Sequence, residues 1–208
     1  MTTAAVAESK PYHHGDLRRA LLDAAEAVLV REGPSALSLR AVAREAGVSP
    51  AAPYHHFKDK SELLRAVAME GFARLKLAMS SALARETAPE ERRSALGVAY
   101  VEFAQANPAL YRVMYDCARN ADQMPDEHGE DVSAFQLVKD TLTEVAGGQV
   151  SELDLELTAI ASWCAAHGLA EISKFEKFKP LKDALGGERA FLQGVLAHLG
   201  VMAQRKDG

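Results

Sequence analysis

Apolar positions spaced three and four residues apart recur along the whole chain, the pattern of helices that each bury one face. Leu17, Ala20, Leu21, Ala24, Ala25, Val28 and Leu29 predict a first helix that Gly33-Pro34 stops. A second, short helix is predicted from the cap residue Ser38 through Leu39, Val42, Ala43 and Ala46 to Gly47. Ser49 reads as a further cap, with Pro50 at the first helical position, where its missing N–H costs nothing. The third helix this predicts runs through Ala51-Ala52-Pro53-Tyr54-His55-His56-Phe57, then turns at Lys58-Asp59-Lys60 into a long helix over residues 61–85. Pro53 falls at the fourth position of that third helix. There it removes a hydrogen bond to the Ser49 carbonyl and disfavours helical backbone at Ala52, so a distorted first turn is expected.

Pro89, Pro108, Gly129, Gly147-Gly148, Pro180 and Gly186-Gly187 divide the remainder into about five further helices. No stretch alternates in the manner of a strand. The expectation is an all-α protein: a three-helix head over residues 12–60 behind a loose tail at 1–11, joined by the long helix to a helical bundle over 61–208. Residues 157–170, in a helix predicted to start at the Ser151 cap, are apolar on nearly every side. Phe191, Leu192, Val195, Leu196, Leu199 and Met202 line a broad face of the last helix. Two such helices from each of two chains suit an intermolecular four-helix bundle, so a homodimer is expected.

Composition narrows the class. The 208 residues are 48% hydrophobic and 25% charged, a globular balance, with two cysteines, Cys117 and Cys164, that read as buried thiols in a reducing compartment. The N-terminus lacks the pattern of a secretion signal, and no uncharged run reaches the ~18 residues a membrane helix needs, so a cytoplasmic protein without a membrane partner is expected. The net charge is −5, yet residues 10–65 hold nine Lys/Arg against seven Asp/Glu and four of the seven histidines, while residues 66–208 hold fifteen against twenty-one. That division points to an anion-facing head and an acidic body, which includes an acidic loop over residues 122–131. His13-His14 has no Cys or carboxylate constellation to complete a metal site, and no catalytic triad spacing or phosphate loop is visible. No metal, cofactor or catalytic residue is expected; a small α-helical enzyme using His167 or Cys164 is the disfavoured alternative.

Two short helices joined by Glu45-Ala46-Gly47-Val48-Ser49 form the sequence image of a helix-turn-helix, with Gly47 left-handed at the turn and Val48 plugging the gap. Helix starts at Ser38, Ser49 and Lys60 offer N–H groups to phosphates. Ala51 and Ala52 are small enough to approach a thymine methyl, and His55 and Arg40 can donate hydrogen bonds to base edges.

The stretch over residues 38–64, including the Tyr-x-His-Phe-x-x-Lys run at Tyr54, His56, Phe57 and Lys60, resembles the signature of tetracycline-repressor (TetR) type bacterial transcription regulators. The resemblance implies phosphate contacts from Tyr54, His56 and Lys60, base-edge contacts from Pro50, Ala51, Ala52 and His55, a palindromic double-stranded DNA operator, and a repressor released by a small molecule. Candidate residues for that effector are Tyr100, Phe103, Tyr111, Met114, Tyr115, Trp163 and His167, aromatic and Met side chains of the middle helices. The Trp-x-x-x-His-Gly string at Trp163 also resembles a C-terminal subtype of that family. A tilt of the long helix would couple effector entry to DNA release. Response to a protein partner or to thiol oxidation is the alternative.

Overall fold

The computed structural model describes residues 17–118, 133–148 and 150–204, and every regular element among them is a helix. The tail at 1–11, His13-His14 and the acidic loop lie outside the described residues. The chain divides into two compact units, Met1–Val67 and Ala68–Gly208.

In the first unit α1 (Leu17–Glu32) packs on α2 (Leu39–Glu45). From α1, Leu21, Leu22, Ala25, Val28 and Leu29 are buried, as the spacing predicts, with Leu22 widening the stripe. They meet Leu37, Leu39, Val42 and Phe57 in a small apolar core. Ser38 caps α2 through its hydroxyl, which accepts from the Ala41 N–H at 3.1 Å. Gly47 follows with φ +68°, and the Val48 N–H donates back to the Ala43 carbonyl at 3.0 Å, closing the turn.

The third helix departs from expectation. In place of an α-helix over 49–57 the chain makes one 3-10 turn, Ala52–His55. Its N-cap is Ala51, and no side chain caps it, so Ser49 does not act as the expected cap. The cause is Pro53. Lacking an N–H, it leaves the Ser49 carbonyl to accept from Ala52 at 3.0 Å, and the i→i+3 pattern continues from Ala51 to Tyr54 and from Pro53 to His56. Pro53 is buried, so the same residue that shortens the helix also anchors the segment.

Helix α3 (Lys60–Leu83) begins in the first unit and continues into the second. Its start is secured by a carboxylate pair: Asp59 Oδ1 accepts from the Glu62 N–H at 2.9 Å, and Glu62 Oε2 accepts from the Lys58 N–H at 2.6 Å.

Among the described residues the second unit holds α4 (Pro89–Ala106), α5 (Pro108–Ala118), α6 (Ala134–Val145), α7 (Glu152–Ile172), α8 (Lys179–Leu185) and α9 (Glu188–Gln204), six helices where about five were expected. Helix α4 is the central element: it packs against α5, α6, α7 and α9, and Leu96, Val98, Tyr100, Val101 and Phe103 are all buried. Ser151 caps α7 as expected, its hydroxyl accepting from the Asp154 N–H at 3.1 Å. Within one chain, however, α7 buries only Ala159, Ala166, Leu169 and Ala170. Leu153, Leu157 and Ile160 on its other side are 69%, 56% and 47% exposed, and Cys164, expected to be buried, is exposed with them.

Candidate DNA interface and ligand cavity

The head presents its polar groups on a rigid base. Phe57 and Pro53 are buried beneath the 3-10 turn, while Tyr54, His55 and Ala51 are exposed and His56 is half-buried. Alternation of buried and exposed positions over five residues follows directly from the three-residue turn. Arg18 lies over the Phe57 ring at 5.6 Å, adding a cation to the same region. Ser38, Arg40, Ser49 and Pro50 are exposed as well. The structure therefore brings the expected DNA-facing residues to the surface of one small unit.

Two groups there already have partners. Lys60 Nζ donates to the Pro34 carbonyl at 3.2 Å, leaving its other N–H groups uncommitted by that bond. The α3 N-terminus, expected as a phosphate seat, is satisfied in part by Asp59 and Glu62, whose negative charges oppose an anion there. Spacing alone, Asp59 three residues before Glu62, carried that signal.

A brace not expected from the sequence ties α1 to α2. Arg31 Nη2 and Nη1 bond Glu45 Oε2 and Oε1 at 2.7 and 3.2 Å, while its Nε bonds Glu32 at 3.0 Å. The hydrogen bond from Arg31 holds the Glu45 carboxyl below its ordinary range, and the guanidinium is raised in turn.

In the second unit α4, α6, α7 and α9 enclose a cavity of about 440 Å³. Of the seven candidate effector residues, Tyr100 and Trp163 line it. Tyr111, Tyr115 and His167 instead form a hydrogen-bonded cluster around Tyr100: its hydroxyl lies 3.0 Å from Tyr111 Oη, 2.5 Å from Tyr115 Oη and 3.2 Å from His167 Nδ1. Burial pushes the Tyr100 and Tyr111 phenols well above their ordinary range and the Tyr115 phenol up to about 12, so all three stay protonated. Phe103 and Met114 are buried in the core and are not part of the cavity wall. Among the described residues no cluster of His, Cys, Asp and Glu could hold a metal ion, and no helix is long and apolar enough to cross a membrane.

Comparison with known proteins matches both units. Residues 21–67 fit the family model "Bacterial regulatory proteins, tetR family", and residues 94–197 fit "Tetracyclin repressor-like, C-terminal domain". The HTH-type transcriptional regulator BetI of Rhizobium meliloti (strain 1021) is 33% identical over 110 residues, 51% of this chain and 54% of that protein. BetI of Brucella suis biovar 1 (strain 1330) is 31% identical over the same length, so the match spans about half of these curated relatives. Among solved structures, a protein of unknown function from Rhodococcus sp. RHA1 is 33% identical with a TM-score of 0.69, covering 92% of this chain and 96% of that one. The fatty acid degradation regulator FadR from Bacillus halodurans shares the fold at a TM-score of 0.62 and 18% identity, covering 90% and 96%.

Proposed function

The chain belongs to the tetR family of bacterial regulatory proteins, and from that premise we propose that it is a cytoplasmic, sequence-specific DNA-binding repressor, not an enzyme, that releases a palindromic operator when a small molecule occupies its second unit. The observation that carries this reading is the head: a capped α2, a left-handed Gly47 and an exposed Tyr54-His55 pair held over a buried Phe57. Tyr54, His56 and Lys60 contact phosphates and fix register, as do the helix start at Ser38 and the backbone at Ser49. Arg40, Pro50, Ala51, Ala52 and His55 face base edges, with DNA shape supplying part of the specificity because so short a turn reads few bases.

The operator is read by two copies. The exposed Leu153, Leu157 and Ile160 on α7 and Leu199 on α9 support a homodimer in which these faces are covered, setting two heads ~34 to 36 Å or a multiple apart. Helix α3 contributes to both units, and a shift of its second half on effector binding changes that spacing.

The test is selection from randomised duplexes by the full chain, followed by binding at several salt concentrations. A palindromic consensus is expected. Substituting His56 or Lys60 by Ala weakens all duplexes alike and lowers the salt slope by about 1 per lost phosphate contact, whereas His55→Ala relaxes preference at one position. Absence of any enriched sequence overturns the proposal.

A further inference from the structure

The cavity wall in the second unit discriminates between ligand classes. Its charged side chains are Glu90 and Arg93, one turn apart on α4, and they neutralise each other through an Nε to Oε2 bond of 2.9 Å. An anionic ligand would find a single cation on the wall, Arg93, already paired with the exposed Glu90, and a charge placed deeper among the apolar side chains would lie without a partner, which is costly. The Tyr100 ring contributes only its hydrocarbon surface, whereas Trp163 also carries an indole N–H, which can only donate. The Tyr100 hydroxyl is committed to Tyr111 and Tyr115. Thr141 donates to the Leu137 carbonyl at 2.8 Å. Thr158 and Ser162 are the remaining hydroxyls of the wall, four residues apart and therefore on one side of α7. Leu96, Leu142, Val145, Leu155 and Leu196 are among the apolar side chains around them.

We infer that this cavity takes an uncharged, predominantly apolar molecule of on the order of 15 non-hydrogen atoms, at ~30 Å³ each, with one hydroxyl or carbonyl group met by Ser162 and Thr158. Its role as the effector rests on the regulator reading above; the ligand class rests on the wall alone.

Trp163 is the one tryptophan of the chain and lines the cavity, so its fluorescence reports occupancy. The full chain is titrated with three probes: decan-1-ol, decanoate and uncharged N-phenyl-1-naphthylamine. Saturable change is expected with the two uncharged probes, and decanoate is expected to bind at least about tenfold more weakly than the alcohol. Ala161→Phe, at the rim, should weaken both uncharged probes about tenfold, and Ser162→Ala should weaken the alcohol about fivefold. Decanoate binding as tightly as the alcohol, and losing that affinity in Arg93→Ala, overturns the uncharged class. No saturable change with any probe overturns the site. The selected duplex is then added: an uncharged probe that binds without weakening DNA affinity overturns the effector role while the ligand class stands.

Discussion

The Tyr111 hydroxyl lies 2.6 Å from Nδ1 of His167, joining α5 to α7 across 56 positions of sequence. Tyr100 of α4 bonds to both, so three helices converge on one polar cluster. Tyr111→Phe deletes this joint without changing volume and leaves His167 with a weaker partner. Urea unfolding of the variant should show a loss of about 1–3 kcal/mol, and Tyr54→Phe, at an exposed position, should show almost none.

The same cluster predicts an alkaline limit. Burial raises the three phenols from the reference value of 10.0, Tyr115 to about 12. In the unfolded chain they ionise first, so their contribution is fully present below about pH 10 and is lost as pH rises through the folded values. Denaturation midpoints should stay flat up to that point and then fall, with phenolate absorbance rising in step with unfolding. A midpoint unchanged to about pH 12 would contradict the protonated cluster.

Gly71 marks the close approach of α3 to α5. A Cβ there would meet Met114 Sδ at 2.6 Å and Cγ at 2.7 Å, and Met114 is fully buried. Gly71→Ala should cost about 1–3 kcal/mol, and pairing it with Met114→Ala should be less damaging than the sum of the two changes, which a double-mutant cycle by chemical denaturation measures.

Removing the α2 cap tests the head separately. Ser38→Ala should cost about 1 kcal/mol, read as faster amide exchange in α2 with little change in the second unit.

The exposed apolar side of α7 predicts the oligomeric state. Leu157→Lys combined with Ile160→Lys should halve the mass in sedimentation equilibrium at micromolar concentration and reduce affinity for a palindromic duplex far more than for a half-site. A dimer undisturbed by both changes would place the interface elsewhere.

Local chemistry carried the legible part of this structure. Caps at Ser38 and Ser151, the turn at Gly47 and the three-four spacing of α1 depend on a few adjacent residues, and each stands where expected. Even the 3-10 turn was foreshadowed, since Pro53 has no N–H whatever surrounds it; only its extent was missed, because the turn after it depends on burial of Pro53 and Phe57. The cavity was harder to read. Apolar aromatics on α4, α5 and α7 look alike in sequence, and which ring reaches a void and which bonds its neighbour is decided by how four helices cross. Hence Val138, Leu142 and Val145 of α6, ordinary core residues by pattern, line the cavity while Tyr111 and His167 stand behind its wall.

Thr158, Ala161 and Leu199 belong to the cavity wall and are also exposed, and the first two adjoin Leu157 and Ile160 in sequence. A second copy seated on that side of α7 would therefore shut the entrance, trapping whatever is inside. Residence time would then follow the lifetime of the pair, and a molecule loaded at low protein concentration would escape far more slowly once the subunits had joined.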